Sequence, residues 1–134
     1  MIRRGNYNAN KFGAVKVAHP ERTFQKQLVA HLRLALPPDV FMTAFPAGGG
    51  GEIRGAHLKA MGLVAGVPDL LFVHRGQLYG MELKAKRGVL SENQELCQDY
   101  LAQAGVDCVT VRTLAEAYRA LDAWGIPTRS RLAA

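Results

Sequence analysis

The sequence predicts a single α/β domain in which helices flank a mixed central sheet. Two observations predict this class. Segments of helical and of extended character alternate in the order α-β-(α)-β-β-α-β-α, and the last strand follows a helix, which makes a crossover and a parallel strand pair. A length of 134 residues suits one domain. We expect the domain to span residues 20–126, after a basic flexible arm at 1–19 and before a frayed tail at 127–134.

The first predicted helix begins at Pro20 and ends before Pro37-Pro38. Apolar residues recur along it at helical spacing, namely Phe24, Leu28, Leu32 and Ala35. Glu21 suits the positive end of the helix dipole. Because Glu21 lies three residues before Phe24, we expect its side chain to project from the apolar face at the helix end.

The middle of the chain predicts a strand, a loop, a short helix and a hairpin. The strand covers residues 40–45, the glycine-rich loop 46–51 and the helix 56–61. Two extended runs, 69–74 and 77–84, flank Arg75-Gly76 and predict a β-hairpin. The glycine loop has neither the phosphate-binding nor the dinucleotide-binding spacing, so no nucleotide cofactor is expected.

Two capping boxes open the last two predicted helices, at Ser91–Gln94 and Thr113–Glu116. The first helix ends at Gly105 and the second at Gly125, with a strand at 106–111 between them. We expect one side of the first helix to be apolar; this side consists of Leu96, Cys97, Tyr100 and Leu101. Cys97 is therefore predicted to lie in the core.

The charge distribution favours a polyanionic partner. The chain has 17 Lys+Arg and 11 Asp+Glu, a net charge of +6, and the whole excess lies in residues 1–66. Nucleic acid is the most common partner of such a surface. The basic residues of the arm, Arg3, Arg4, Lys11 and Lys16, either track phosphates or form a solvated end.

Several classes of protein are excluded by composition and spacing. No apolar run is long enough to span a membrane, and the basic start lacks the apolar stretch of a secretory signal. Cys97 and Cys108 form neither a C-x-x-C pair nor a disulfide framework. The four histidines have no metal-ligand spacing. We therefore expect a protein of a reducing, cytoplasmic compartment with no membrane partner.

Three charged residues of the hairpin point to chemistry. Side chains alternate along a strand, so Glu82 and Lys84 share a face, and the preceding strand can bring Asp69 beside them. Two carboxylates among apolar residues are costly without a cation, and their oxygens suit Mg²⁺. The backbone carbonyl of Leu83 is a further candidate ligand, and Lys84 could orient a water or stabilise developing charge. In the alternative interpretation, Asp69 caps a turn and Lys84 pairs with Glu82 as an ordinary ion pair.

Pro68-Asp69 followed by Glu82-Leu83-Lys84 resembles the pattern of the PD-(D/E)XK nuclease superfamily. The stretch 62–70 and the helix start at 90–94 resemble, more specifically, the VRR-NUC (virus-type replication-repair nuclease) domain over residues 20–115. The resemblance implies a restriction-endonuclease-like core and a Mg²⁺- or Mn²⁺-dependent deoxyribonuclease. It also implies that Glu21 joins the two hairpin carboxylates in binding metal. Glu52 is the alternative additional acid.

The same resemblance implies that Lys84 is catalytic and that Gln94 supports the site, although Gln94 also fits the capping box. Lys86 and Arg87 directly follow the E-x-K strand and are candidates for contacts with DNA phosphates. Small proteins of this kind resemble Holliday-junction resolvases, so we expect a homodimer, of phage or bacterial type, that cuts branched DNA. The alternatives are an inert DNA-binding or assembly module and a sequence-specific restriction-type endonuclease.

Overall fold

A computed structural model describes residues 19–45 and 51–129 of the chain, except for the side chains of 51–54. The elements follow the predicted order: α1 (Pro20–Ala35), β1 (Val40–Ala44), α2 (Gly51–Ala60), β2 (Leu70–His74), β3 (Gln77–Leu83), α3 (Glu92–Gln103), β4 (Asp107–Val111) and α4 (Leu114–Ala123). The predicted arm up to residue 18, residues 46–50 of the glycine loop and the tail from 130 lie outside the described residues.

The four strands form one mixed sheet in the order β1-β2-β3-β4. β1 pairs antiparallel with β2, and β2 pairs antiparallel with β3. β3 and β4 pair in parallel, because α3 crosses over between them. The mixed central sheet with flanking helices is therefore confirmed.

One face of the sheet carries the hydrophobic core. Alternate residues of β2 and β3 point to this face and pack against α1 and α4. The buried cluster consists of Leu28, Leu32, Leu70, Phe72, Met81, Leu83, Val111, Ala117, Leu121 and Ile126. The helical spacing predicted for α1 is confirmed, since Leu28, Leu32 and Ala35 are all fully buried.

The opposite face of the sheet packs against α3. Gly80 lies so close to Pro68 and Cys108 that a Cβ there would be 2.9 Å from an atom of each. Cys97 is buried as predicted. Leu96 and Tyr100 are 47% and 63% exposed, so the prediction that they belong to the apolar side of α3 is wrong. The stripe that meets the sheet consists of Gln94, Cys97 and Leu101; Tyr100 lies about a quarter of a turn around the helix from its centre, and Leu96 lies more than about a third of a turn away.

Two local predictions need correction. α2 begins at Gly51 rather than 56, which places Glu52 in a helix and not in the glycine loop. The second capping box is half formed: the Thr113 hydroxyl accepts from the Glu116 N–H at 3.1 Å, but the Glu116 carboxylate accepts from the Arg112 N–H at 2.6 Å. Arg112, the residue after β4, therefore takes the place of Thr113 as the donor to this carboxylate.

The end of the described chain is attached to the domain. The Arg129 N–H donates to the Ala35 carbonyl at the end of α1 at 3.0 Å. In the described part of the chain, no helix is both long and apolar enough to cross a membrane.

Candidate active site

Asp69 and Glu82 meet at the end of the β2–β3 hairpin. The register pairs Leu70 with Met81, so Asp69, one residue earlier, comes opposite Glu82 on the other face of the sheet. The Leu83 N–H donates to Asp69 Oδ2 at 2.8 Å and holds that carboxylate at the end of β3. Within a strand the carbonyl of a residue points to the same side as its N–H, so we expect the Leu83 carbonyl to lie beside the pair as a third oxygen.

Glu82 is the most constrained of these groups. It is 1% exposed, and its Oε2 accepts from Gln94 Nε2 at 2.7 Å. Its other oxygen, Oε1, is buried and accepts no hydrogen bond from a donor group. The Asp69 carboxyl lies within hydrogen-bond reach of Glu82, a contact that needs one proton between the two acids. Burial first, and the Asp69 carboxylate second, raise the pKa of Glu82 from 4.5 to about 8. A buried carboxylate with a free oxygen and a second acid beside it needs a proton or a cation.

Gln94 caps α3 and also contacts Glu82. Its Oε1 accepts from the Ser91 N–H at 2.9 Å, and the Ser91 hydroxyl accepts from the Gln94 N–H at 3.2 Å, which completes the capping box. Its Nε2 remains available and donates to Glu82. The start of α3 is therefore attached to the carboxylate cluster through a single side chain.

Lys84 follows Glu82 by two residues, so its side chain lies on the same face of the sheet, and it is 8% exposed. Its N–H donates to the Val111 carbonyl at 3.0 Å, which continues the parallel ladder past the end of β3. The positive charge of Lys84 opposes the rise in the pKa of Glu82. Within residues 19–45 and 51–129, no ion pair within 4.0 Å links the two, so the alternative interpretation as an ordinary ion pair is not what the structure shows.

Glu21 reaches the same end of the sheet from α1. Its Oε2 accepts from the Ala85 N–H at 3.3 Å, and its charge contributes to the raised pKa of Glu82. A Cβ on Gly88 would lie 2.9 Å from that oxygen, so the absence of a side chain there leaves space for Glu21. No group of three His, Cys, Asp or Glu side chains that could hold a metal ion is found among the described residues. The role of Glu21 as a third metal ligand therefore stays a prediction.

Arg112 was missed by sequence reasoning. Its Nη1 donates to the carbonyls of Ala85 and Gly88 at 2.7 and 2.6 Å, and so holds the segment that follows Lys84. The parallel register of Leu83 with Val111 brings Arg112 beside Lys84. A basic residue just after the last strand is a weak signal, because only the register shows which segment it meets.

Gly66 allows the loop before Asp69 to pack against the start of α3. It has a φ of +86°, and a Cβ there would lie 2.3 Å from the Asn93 carbonyl oxygen in the first turn of α3. Only glycine permits both this backbone conformation and this approach. The loop before Asp69 therefore packs directly against the helix start that supplies Gln94.

The remaining candidates lie elsewhere or are exposed. Lys86 and Arg87 are exposed in the segment after β3. His74 is buried and lies 3.6 Å from Asp39, which accounts for it structurally. Both cysteines are free.

The oxygens of Asp69 and Glu82 and the Leu83 carbonyl fit a hard divalent cation. The unpartnered, buried Oε1 of Glu82 is the observation that supports this fit. Mg²⁺ and Mn²⁺ prefer such oxygen ligands, and Mg²⁺ often uses only one or two carboxylates from the protein.

The structure is an α/β domain in which Asp69, Glu82 and Lys84 lie at the same end of the β2–β3 hairpin. No family model and no curated protein matches the sequence. Among solved structures, the chain is similar to one described as "VRR_NUC domain protein", with a TM-score of 0.61 and 18% identity, covering 76% of this chain and 84% of that one. The chain therefore has the fold that the motif resemblance predicted.

Proposed function

We propose that this chain is a metal-dependent DNA nuclease that hydrolyses phosphodiester bonds. The observation that carries the proposal is the buried Glu82, which has one oxygen without a partner and Asp69 beside it. Lys84 and Gln94 complete the cluster. The similarity in fold to a VRR_NUC domain protein and the net charge of +6 support DNA as the substrate.

Asp69, Glu82 and the Leu83 carbonyl would hold Mg²⁺ or Mn²⁺, with Glu21 as an additional acid. When bound, such an ion supplies Lewis-acid activation and neutralises phosphate charge. Gln94 orients Glu82 through its amide, and Asp69 is oriented by the Leu83 N–H.

Lys84 is the proposed catalytic cation. Its ammonium group has no ion pair among the described residues, so it is available to a phosphate oxygen or to the attacking water. A positive charge placed there before the reaction stabilises the negative charge that develops at phosphorus. The limited exposure of Lys84 strengthens this effect, because few water molecules compete.

The activity is tested on labelled DNA with added Mg²⁺ or Mn²⁺ and with a chelator. We expect cutting that depends on the metal, and a loss of at least about a hundredfold in rate for Lys84→Gln. Lys59→Gln is the matched control, because Lys59 is an exposed lysine on α2. If no DNA is cut in a metal-dependent way, the proposed nuclease activity is refuted. If Lys84→Gln cuts DNA at the native rate, the proposed catalytic role of Lys84 is refuted.

Metal binding is tested separately by calorimetry with Mn²⁺. We expect Glu82→Gln to weaken binding at least about tenfold, since it removes a ligand charge. Glu95→Gln is the control, because it neutralises an exposed acid of α3. If Glu82→Gln and Glu95→Gln bind Mn²⁺ with equal affinity, Glu82 is not a metal ligand.

We further propose that the enzyme is a homodimer of the reducing cytoplasm, of phage or bacterial type, that prefers branched DNA. Two symmetric active sites suit the paired strands of a four-way junction. The preference is tested by comparing the cleavage rates of a four-way junction and of a linear duplex with the same sequence. The homodimer is tested by measuring the molecular mass of the protein in solution. Cutting of the duplex at one fixed sequence would instead identify a restriction-type endonuclease.

An inert DNA-binding or assembly module is the second candidate. It is favoured by one observation: no third acidic or other ligating side chain joins the pair to form a metal group among the described residues. Such a module would bind DNA equally well with and without metal and would leave the DNA intact. Metal-dependent cutting excludes it.

A further inference from the structure

The exposed face of α1 carries three cations beside a groove. Arg22, Lys26 and Arg33 line this groove, which has a volume of about 510 Å³, and all three are exposed. Its apolar lining consists of Val29 and Ala30 of α1 and Ala44 of β1. The groove does not include the carboxylate pair and is a separate surface feature. We call it the α1 groove.

The charges of the α1 groove have no protein partner in the described part of the chain. No ion pair within 4.0 Å joins Arg22, Lys26 or Arg33 to a carboxylate there. The one acid of α1 is Glu21, and its carboxylate accepts from the Ala85 N–H at the active site. The groove therefore presents uncompensated positive charge along one helix.

The α1 groove begins next to the proposed active site. Arg22 directly follows Glu21, whose side chain reaches the end of β3. Arg22 and Arg33 are eleven residues apart, which is about 16 Å along a helix axis. A row of cations of this length matches a phosphate backbone, whereas a small anion would need a single convergent site.

We infer that the α1 groove binds the phosphate backbone of duplex DNA and leads it to the active site. The inference deepens the proposed nuclease function and rests on it for the identity of the ligand. In this arrangement Arg22, Lys26 and Arg33 contact phosphate oxygens, which position the duplex and carry no sequence information.

The test is the salt dependence of duplex binding by the full chain, measured by fluorescence anisotropy in a chelator so that the DNA stays intact. Lys26→Gln/Arg33→Gln removes two cations and leaves Arg22, next to Glu21, in place. We expect the slope of log K against log salt to become shallower by about 1.8, and affinity at 0.1 M salt to fall at least about tenfold.

Arg75→Gln/Arg119→Gln is the matched control. It removes the same net charge from exposed positions in the β2–β3 turn and on α4, outside the α1 groove. We expect the control to change the slope by much less than one. A Lys26→Gln/Arg33→Gln slope equal to that of the native chain, or an equal drop in the control, would overturn the inference. Thermal unfolding of both variants confirms that each is folded.

The outcomes separate this inference from the proposed function. If the native chain binds no duplex, the inference about the α1 groove fails, while the nuclease proposal is decided separately by metal-dependent cutting of DNA. If the native chain binds and cuts DNA but the slope is unchanged in Lys26→Gln/Arg33→Gln, only the α1 groove is refuted. If the slope changes but no DNA is cut with any metal, the groove stands and the nuclease proposal fails.

Discussion

Replacing Glu82 with glutamine should remove a large, pH-dependent cost from the metal-free protein. Burial and the Asp69 carboxylate raise the pKa of Glu82 from 4.5 to about 8. Between these values the unfolded chain releases its proton and the folded protein retains it. The unfolded state is therefore favoured progressively as the pH rises, and the stability present below pH 4.5 is lost by about pH 8.

The rise in the pKa of Glu82 from 4.5 to about 8 corresponds to about 5 kcal/mol of unfolding free energy, at a slope of at most about 1.4 kcal/mol per pH unit. Glu82→Gln keeps the shape of the side chain. Its amide oxygen can still accept from Gln94, and its NH₂ can donate to Asp69. We expect the stability advantage of the variant over the native chain to grow by about 3–4 kcal/mol between pH 5 and 8, which is most of the full difference.

The assay is urea unfolding at several pH values in a chelator. Glu95→Gln, on the exposed side of α3, should show a difference from the native chain that does not change over this range. In the absence of the chelator, added Mg²⁺ should reduce the loss of unfolding free energy at high pH in the native chain and not in Glu82→Gln. The reason is that an ion that binds only the folded state stabilises that state. A Glu82→Gln difference that stays constant from pH 5 to 8 would refute the reasoning.

Two further substitutions test how the site is supported. Gly66→Ala should destabilise the fold by more than about 2 kcal/mol, since its Cβ would lie 2.3 Å from the Asn93 carbonyl oxygen at a φ of +86°. Gly62→Ala, at a φ of +106° with nothing within 4 Å, should cost only about 1 kcal/mol, and equal losses in urea unfolding would contradict the close packing on α3. Arg112→Ala should cost about 2–3 kcal/mol by freeing the carbonyls of the segment after Lys84, while exposed Arg119→Ala should change stability by less than about 0.5 kcal/mol. Thermal unfolding of the pair checks this, and a native melting temperature for Arg112→Ala would show that the segment needs no such support.

Much of the architecture follows from local patterns. The period of α1, the hairpin turn at Arg75-Gly76 and the Ser91 capping box depend on near neighbours, so the sequence alone predicts them. The prediction for α3 was wrong at Leu96 and Tyr100, because their apolar character does not say which helix face the sheet will cover. α2 was placed too late because its start is rich in glycine, which argues locally against a helix.

The sequence by itself determined the order of elements, the alternation that puts Glu82 and Lys84 on one face, and the nearness of Asp69 in a hairpin. These follow from the two-residue period of a strand and from a short turn. Only the tertiary structure decided that Glu82 is buried with one oxygen unpartnered, that Gln94 binds it while capping α3, and that Arg112 holds the segment after Lys84. Each of these depends on a register or an approach between residues far apart in the chain, which no local pattern encodes.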